Sequence, residues 1–209
     1  MRPRCGFYER RVFPWLNDKF NAAPALQRLR AEAVANAHGR VVEIGFGTGL
    51  NLAHYPRAVT SVVAVEPNDG MHVRAIERIR AAPVPVEFVA GSAEQLPLAD
   101  RTFDTAVSVL TLCSVSDPAL TLRELHRVLR DDGRLLVLEH GLAEAPGVAR
   151  WQARLNPIQK TLACGCHLTR PIEPLVEAGG FRFVSLRKFF APEMPRTHGW
   201  LTLGTAEKA

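Results

Sequence analysis

Residues 40–51 read RVVEIGFGTGLN, and this stretch decides the fold. Its β-branched segment, residues 41–44, predicts a strand buried on both faces of a sheet, and glycines follow at every second position, Gly45, Gly47 and Gly49. Glycine is favoured where the backbone needs a positive φ or lies close to a ligand, because no Cβ intervenes. The stretch therefore predicts a strand, a tight turn and the start of a helix whose free N–H groups face an anionic group.

The spacing of the glycines narrows the class of ligand. A dinucleotide-binding turn, G-x-G-x-x-G, would place a glycine at position 50, where this chain has Leu50. Here an acid, Glu43, also stands two residues before the first glycine. Such an acid would repel a phosphate, whereas it suits a ligand that carries both an ammonium and a carboxylate. S-adenosylmethionine is a ligand of this kind.

Composition limits the classes of protein and partner. A chain of 209 residues with 47% hydrophobic and 22% charged residues is long enough for one α/β domain and short for two. The net charge of +5 comes mostly from scattered arginines without interleaved aromatic residues, so nucleic acid is not an expected partner. A solvated surface explains the charge best, and contact with an anionic membrane surface or an acidic substrate stays open.

The apolar runs and the cysteines indicate the compartment. The sequence has neither a membrane-spanning run of about 20 apolar residues nor an apolar signal core, so we expect a cytoplasmic protein. The four cysteines, Cys5, Cys113, Cys164 and Cys166, are too few for a disulfide framework and should be reduced thiols. Cys164, Cys166 and His167 lie too close together in sequence for a tetrahedral zinc site, so no metal is expected.

After the glycine turn, predicted strands and helices alternate, which favours a parallel sheet covered on both faces. The later strands are predicted at residues 61–66, 86–90, 102–109, 134–139, 181–189 and 198–205. Asn68 or Asp69 should cap the helix over residues 69–81, and Asp117 should cap the helix that Pro118 opens. The last two strands are joined by a segment too short for a crossover helix, so they should form an antiparallel hairpin.

The glycine turn resembles motif I of the class I S-adenosylmethionine-dependent methyltransferases. Three further features of that family follow in order: Glu66 after the second strand, residues 91–94 (GSAE) after the third, and residues 103–113 across the fourth. The resemblance covers roughly residues 40–140. It implies a Rossmann-like α/β domain with a mostly parallel seven-stranded sheet and a C-terminal antiparallel hairpin. It also implies methyl transfer from S-adenosylmethionine, which leaves S-adenosylhomocysteine.

The same resemblance implies roles for individual residues. Glu43 and the glycine turn would hold the methionine part, and Glu66 the ribose. The adenine would contact Ser92 or Glu94, because this chain has Ser92 where the family usually has Asp. Met71 is expected either on the adenine or in the core. The predicted cofactor-binding residues are Glu43, Gly45, Phe46, Gly47, Thr48, Gly49, Asn51, Glu66, Pro67, Met71, Ser92, Ala93, Glu94, Leu110, Thr111 and Cys113.

The acceptor side has a narrower resemblance. The segments LTLCSV (residues 110–115), LEHG (138–141) and CGCHLTR (164–170) are similar to the methyltransferase-like thiol S-methyltransferases of animals and their bacterial relatives. A small thiol is therefore the expected acceptor. Its alternatives are a phospholipid headgroup amine at a membrane surface and a module that binds S-adenosylmethionine without methyl transfer.

Two histidines are candidates for catalysis. His140, just beyond the fifth strand, is a candidate base or orienting group, and a structural role at the strand end is its alternative. His167 is the second candidate. Cys113 is expected either to line the pocket or to fill the core. The sequence gives no indication of the oligomeric state.

The chain divides into four parts around this site. Residues 1–39 are predicted to be helical, with Pro14 ending or kinking a first helix and Pro24 opening a second helix that runs to Gly39. We expect them to form a lid; a helix packed on the sheet edge or lying on a membrane is the alternative. The remaining parts are a cofactor-binding core (40–140), an acceptor-side helical cap (141–170) and a C-terminal helix with a hairpin (171–209).

Overall fold

The computed structural model describes residues 6–209, which contain a seven-stranded sheet in the order β3-β2-β1-β4-β5-β7-β6. The strands are β1 (Gly39–Ile44), β2 (Val59–Val65), β3 (Val86–Val89), β4 (Phe103–Val109), β5 (Leu129–His140), β6 (Phe181–Phe190) and β7 (Trp200–Lys208). β7 runs antiparallel to both of its neighbours, and the other paired strands are parallel. The predicted mostly parallel sheet with a C-terminal antiparallel hairpin is confirmed.

The strand order reverses between β1 and β4, which are neighbours at the centre of the sheet. Ligands of open α/β sheets bind at such a reversal, beyond the carboxyl ends of the strands. Those ends carry the glycine turn after β1 and residues 110–115 after β4. The topology therefore brings the two most distinctive stretches of the sequence together.

Six α-helices occur among the described residues: α1 (Phe13–Asn21), α2 (Pro24–Val34), α3 (Asp69–Arg80), α4 (Pro118–Val128), α5 (Pro146–Leu162) and α6 (Ile172–Ala178). The predicted caps are confirmed, since Asn68 accepts from the N–H of Gly70 and Asp117 accepts from the N–H groups of Ala119 and Leu120. α2 ends at Val34, earlier than predicted.

The helical geometry changes just before Pro14. A short π-helical turn, Tyr8–Val12, leads directly into α1, and Pro14 lies in the first turn of α1. Proline fits there because it has no N–H and its fixed φ suits a helix start. The change from a π-helical turn to an α-helix at this point agrees with the predicted end or kink of a first helix at Pro14, and Pro14 also begins α1.

The prediction of a helix directly after the glycine turn was wrong. Gly45, Gly47 and Gly49 have φ values of +57°, +59° and +79°, and only a three-residue 3₁₀ turn, Leu52–His54, follows them. The 3₁₀ turn ends at Tyr55, which has an extended backbone and precedes Pro56, and the residue before a proline is disfavoured in the helical region. This turn consequently offers no helix N-terminus to an anionic group.

The sheet is covered on both faces. Alternate residues of β1 belong to separate buried clusters, with Val42 and Ile44 in one and Val41 in the other. The first cluster packs under α4 and α6, while the second packs against α2. Within residues 6–209, no helix is both long and apolar enough to cross a bilayer.

The N-terminal segment lies across the carboxyl end of the sheet. The Tyr8 hydroxyl donates to the carbonyl of Leu162 at the end of α5 (2.7 Å), and the Asn68 amide donates to the carbonyl of Glu9 (3.0 Å). In α1, Asp18 forms an ion pair with Arg78 of α3 (2.7 Å). These contacts place the segment over the ends of β1, β2 and β4.

Candidate active site

Two adjoining cavities lie beyond the carboxyl ends of the central strands. The smaller has a volume of about 290 Å³ and the larger about 810 Å³. Residues of the glycine turn, of the loop after β4 and of the N-terminal segment line both. The common residues are Phe13, Asn17, Gly45, Gly47, Leu110, Ser114 and Ala163. A ligand in one cavity would thus lie beside a ligand in the other.

Glu66 is the principal acid of the smaller cavity. One carboxylate oxygen accepts from the N–H of Gly47 (2.8 Å) and the other from the N–H of Asn68 (2.9 Å). A Cβ on Gly47 would have no neighbour closer than the carbonyl oxygen of Gly45 at 3.7 Å. The backbone at Gly47 therefore faces open space, and the carboxylate of Glu66 is fixed beside it.

The third strand end contributes Ser92 and Glu94 to the same cavity. The Ser92 hydroxyl donates to Glu94, whose other carboxylate oxygen accepts from the N–H of Ser116 (2.6 Å). Burial opposes ionisation of Glu94, but these hydrogen bonds outweigh it and lower the pKa of Glu94. The Glu94 carboxylate already has partners from two loops, while Ser92 stays beside the cavity.

Glu43 lines the larger cavity and is almost fully buried. Its carboxylate accepts from Asn51 Nδ2 (2.8 Å) and from the Tyr55 hydroxyl (2.6 Å). Burial raises the pKa of Glu43 to about 7, against the opposing effects of these hydrogen bonds and of Arg30. Arg30 in turn donates to Asn51 Oδ1 (2.9 Å), so the Glu43 carboxylate and the Arg30 guanidinium are linked through the side-chain amide of Asn51.

Arg30 is a cavity residue that sequence reasoning missed. It is 6% exposed, lines the larger cavity, and its Nε has no hydrogen-bond partner among residues 6–209. Burial lowers its pKa to about 10, so it remains protonated at neutral pH. A buried cation with an unused donor is suited to a carboxylate ligand. Only its position in α2, over the glycine turn, gives it this role.

Two buried charged residues shape the loop after β4, and sequence reasoning missed both. The Glu139 carboxylate accepts from the Ser108 hydroxyl and from the backbone N–H groups of residues 111, 112 and 113, at 2.7–3.2 Å. Arg170 donates to the carbonyl oxygens of Leu112 and Val115. These contacts fix the backbone that carries Cys113.

Cys113, His140 and Cys166 form a buried cluster at the wall of the larger cavity. The two sulfurs are 3.8 Å apart, and His140 Nε2 is 3.0 Å from Cys166 Sγ. The contact with Cys113 lowers the pKa of Cys166, and His140 lowers it further against the effect of burial. Cys113 and Cys166 are free thiols, and Cys5 lies outside the described residues.

Comparison with known proteins places this geometry in a family. Residues 42–137 match a family described as "Methyltransferase domain". The thiol S-methyltransferase TMT1B of Rattus norvegicus is 33% identical over 78% of this chain and 66% of that protein. For its Homo sapiens counterpart the identity is 31% over 97% of this chain and 85% of that protein. The chain belongs to the class I S-adenosylmethionine-dependent methyltransferases.

A second curated relative has another acceptor in its name. The phosphatidylethanolamine N-methyltransferase of Cereibacter sphaeroides is 33% identical over 70% of this chain and 72% of that protein. Among solved structures, a methyltransferase of Thermotoga maritima titled a possible histamine N-methyltransferase superposes with a TM-score of 0.69. It is 25% identical and covers 97% of this chain and 98% of its own. The methyltransferase fold thus extends across nearly the whole chain.

The methyltransferase family implies S-adenosylmethionine as the methyl donor, and the cavities suit it. A nucleoside needs apolar walls and a fixed acceptor for ribose hydroxyls, which Met71 and Glu66 provide in the smaller cavity. The ammonium and the carboxylate of a methionine moiety need an anionic and a cationic partner. Glu43 and Arg30 are suited to these two roles in the larger cavity. The glycine turn between the two cavities lets the ligand approach the protein backbone closely.

Most of the predicted site residues lie around these two cavities. The smaller cavity is lined by Gly45, Gly47, Glu66, Pro67, Met71, Ser92, Ala93, Glu94, Leu110 and Thr111, and the larger by Glu43, Gly45, Phe46, Gly47, Thr48, Asn51, Leu110, Cys113 and His140. Gly49 and His167 line neither cavity. Gly49 packs on Phe46, and the backbone N–H of His167 donates to the carbonyl of Cys113 (2.8 Å).

Proposed function

We propose that this methyltransferase transfers the methyl group of S-adenosylmethionine to a small thiol held in the larger cavity. The observation that carries the proposal is the wall that the two cavities share at Gly45, Gly47 and Leu110. Methyl transfer needs a nucleophile in line behind the sulfonium, and most of the acceleration can come from positioning two bound reactants. The shared wall is where such an alignment can occur.

The proposed cofactor orientation follows from the charges. Glu66 would bind the ribose hydroxyls, with the adenine near Met71 and Ser92 in the smaller cavity. The methionine ammonium would face Glu43 and its carboxylate would face Arg30. In this assignment, the partner of the methionine carboxylate is the buried Arg30 side chain and not the helix N-terminus that the sequence predicted. When bound, the cofactor supplies an electrophilic methyl group.

The remainder of the larger cavity would hold the acceptor. Its wall is rich in apolar side chains, among them Leu16, Phe20, Leu26, Val109 and Leu162, which suits a small apolar molecule. Its polar groups opposite the shared wall include the cysteine and histidine cluster. A thiol needs little more than deprotonation, because thiolates are strong nucleophiles with a pKa not far above neutrality.

His140 would act with the cysteine cluster, because its Nε2 is directed at Cys166 Sγ and not at free space. We therefore assign it an orienting role toward the acceptor. His167 lines neither cavity, so we assign it no contact with the reactants. Its backbone N–H fixes Cys113 through the carbonyl oxygen of that residue.

Residues 6–34 would act as the lid of a single domain. Glu9, Phe13 and Asn17 line the smaller cavity, and Tyr8 links the segment to the end of α5. An ordered lid excludes water from both reactants and commits them to transfer. The acceptor-side cap would be α5 with residues 163–170, which contribute Gln159, Leu162 and Cys166 to the larger cavity.

The test is a panel of acceptors matched in shape but differing in the nucleophilic atom. Benzenethiol, phenol and aniline would be incubated with the full chain and methyl-deuterated S-adenosylmethionine, and labelled products quantified by mass spectrometry. Hydrogen sulfide and a short alkyl thiol would be included. We expect the thiol to react at least about 100-fold faster than its oxygen and nitrogen analogues. Faster methylation of aniline would contradict the proposal.

A phospholipid amine is the second candidate acceptor, because a curated relative carries that activity in its name. Large apolar side chains are also exposed on the acceptor side, namely Phe20 (69%), Trp151 (56%), Ile158 (59%) and Leu162 (59%). Exposed apolar residues of this kind can contact a membrane surface. Co-sedimentation with vesicles containing phosphatidylethanolamine, together with methylation of that lipid, would favour this acceptor over a small thiol.

A further inference from the structure

The cluster of Cys113, His140 and Cys166 joins three separate parts of the chain. Cys113 follows β4, His140 ends β5, and Cys166 lies in the segment after α5. Their sulfur and nitrogen atoms all lie within 4.8 Å of one another, and all three residues are buried. Two sulfurs and one imidazole nitrogen at such distances are a donor set typical of zinc.

The spacing of the donors is close to that of a tetrahedral site. Zinc–sulfur bonds of about 2.3 Å at a tetrahedral angle place two sulfurs about 3.8 Å apart, and a sulfur and a nitrogen about 3.5 Å apart. The sulfurs of Cys113 and Cys166 are 3.8 Å apart, and His140 Nε2 is 3.0 Å from Cys166 Sγ. The sulfur–sulfur distance therefore fits, and the sulfur–nitrogen distance is about half an ångström short. The Cys113 sulfur lies within 4.8 Å of the His140 donor nitrogen, so binding requires a small shift of the His140 ring.

The surroundings hold these donors in place. The Glu139 carboxylate and the Arg170 guanidinium fix the loop that carries Cys113. Gln159 directs its amide nitrogen at Cys166 Sγ (3.6 Å), and its oxygen is 3.2 Å from His198 Nε2. Outer contacts of this kind orient the ligands of metal sites.

The position of the proton on His140 determines whether its Nε2 can bind a cation. Its Nδ1 is buried and has no hydrogen-bond partner among residues 6–209, while its Nε2 faces Cys166 Sγ. A neutral imidazole carries its proton on one ring nitrogen and a lone pair on the other. With the proton on Nδ1, the lone pair of Nε2 points into the cluster and can bind a cation.

We propose that Cys113, His140 and Cys166 bind one Zn²⁺ ion, and that its fourth coordination position faces the larger cavity and takes the thiol acceptor. The role of the ion rests on the proposed thiol activity, whereas the site itself rests on the geometry of the three donors. Sites with three protein ligands and one open position are the catalytic type of zinc site. This ligand set differs from Cys164, Cys166 and His167, whose spacing in the sequence predicts no metal site.

The chemistry of the proposed site balances without a redox change. The acceptor R–SH binds as R–S⁻, and its proton passes to solvent. The thiolate sulfur then forms a bond to the methyl carbon while the bond from that carbon to the sulfonium sulfur breaks. The electron pair of the broken bond stays on the sulfonium sulfur, which becomes the thioether of S-adenosylhomocysteine. The methylated acceptor is a neutral thioether, a weaker ligand than a thiolate, and can leave.

The metal content of the full chain is the first test. The chain would be purified from cells grown with added zinc under reducing conditions, and analysed by plasma mass spectrometry. We expect about one zinc per chain in the parent protein, and a loss of at least about tenfold in Cys166→Ser and in Cys113→Ser. Cys164→Ser, two residues from Cys166, is the matched control and should retain the metal.

Replacement by Co²⁺ gives a readout that does not depend on activity. Cobalt bound to two thiolates should show a thiolate-to-metal absorption band, which should shift when a small thiol is added and no cofactor is present. Should Cys166→Ser not fold, loss of the band in His140→Gln tests the same site. If the protein purified under reducing conditions binds neither zinc nor cobalt, the proposal is overturned. A Cys113–Cys166 disulfide that persists under these conditions would overturn it as well.

The metal site and the thiol activity fail in different ways. Undiminished methylation of thiols after chelation and verified metal removal would reject the catalytic role of the ion, while the proposed function would stand. One bound zinc per chain without methylation of any thiol in the panel would reject the thiol acceptor, while the binding site would stand. Loss of methylation on chelation, restored by zinc, would support both.

Discussion

The smaller and larger cavities share a wall but are built from different parts of the chain. The smaller is formed mainly by the ends of β1, β2, β3 and β4, with Glu66 directly after β2 and Glu94 in the loop after β3. The larger draws on residues from Tyr8 to His198, including α1, α2, the cap and the loop before β7. In the proposed arrangement, the nucleoside part of the cofactor would bind to residues at strand ends, whereas the acceptor would bind in a cavity formed by residues that are distant in sequence.

This difference explains how one scaffold can serve several acceptors. A thiol S-methyltransferase and a phosphatidylethanolamine N-methyltransferase are both about one third identical to this chain. The residues that would hold the nucleoside lie within the stretch that matches the methyltransferase family, residues 42–137. Much of the larger cavity lies outside that stretch, where side chains other than those proposed to contact the cofactor can change without altering the nucleoside site.

Gly47→Arg should produce the largest effect, because Gly47 belongs to the shared wall. Its φ of +59° and the open space at its Cβ direct a new side chain into the cavities. We expect affinity for S-adenosylhomocysteine, measured by calorimetry, to fall at least about 100-fold. Gly147→Arg, at an exposed glycine with open space, is the control. Unchanged affinity in a folded Gly47→Arg protein would break the assignment of both cavities.

Arg30→Met should rank second and tests the boundary between the cofactor and the acceptor. Loss of a buried charged partner of the methionine carboxylate should raise the KM for S-adenosylmethionine about 30-fold. The KM for the thiol should change little. Arg28→Met, on the exposed side of the same helix, should leave both constants within about twofold of the parent. An effect confined to the thiol would assign Arg30 to the acceptor.

Glu66→Gln should have an intermediate effect on cofactor affinity, through the smaller cavity alone. The amide retains the shape of the side chain but weakens hydrogen bonds to ribose hydroxyls, so cofactor affinity should fall about tenfold. Glu87→Gln, at an exposed acid on β3, is the matched control. Equal weakening of adenosine and S-adenosylhomocysteine, measured by calorimetry, would locate the loss in the nucleoside part. A loss seen only with S-adenosylhomocysteine would argue against the ribose assignment.

Glu43, in the larger cavity, should make the stability of the protein depend on pH near neutrality. Its raised pKa, about 7, means that the folded state binds the proton more tightly than the unfolded state does. This stabilisation is present at low pH and is lost as pH rises through the folded pKa. Between pH of about 6 and 8, we expect the free energy of unfolding to fall by about 1 kcal/mol because of Glu43. Urea titrations of Glu43→Gln should show a correspondingly flatter profile; an unchanged profile would contradict the shift.

Phe20→Ala should have the smallest effect and should be confined to the acceptor. Phe20 lines only the larger cavity and is 69% exposed, so its removal should raise the KM of an apolar thiol about two- to threefold. The affinity for S-adenosylhomocysteine should not change. Trp15→Ala, on the same helix but outside both cavity walls, is the control. A loss of cofactor affinity in Phe20→Ala would show that the two regions are not separable.

The sequence alone determined the sheet, the family and the strand-end residues that line the smaller cavity. Strand ends are local features, since a buried strand followed by glycine or an acid is visible within a few residues, as at Glu43 to Gly49 and at Glu66. The topology of a parallel sheet then brings such ends together without further information. The C-terminal hairpin could be predicted because the segment between its strands is too short for a crossover.

Only the tertiary structure decided that Arg30 lines the larger cavity and that buried charges hold the loop after β4. Arg30, Glu139 and Arg170 belong to elements far apart in sequence, and burial beside the glycine turn or the loop after β4 gives them their partners. The same holds for Cys113, His140 and Cys166. Their side chains meet although each residue lies at least 26 positions from the next along the chain. Sequence spacing reports neighbours along the chain, whereas a binding site depends on distances between atoms, which folding sets.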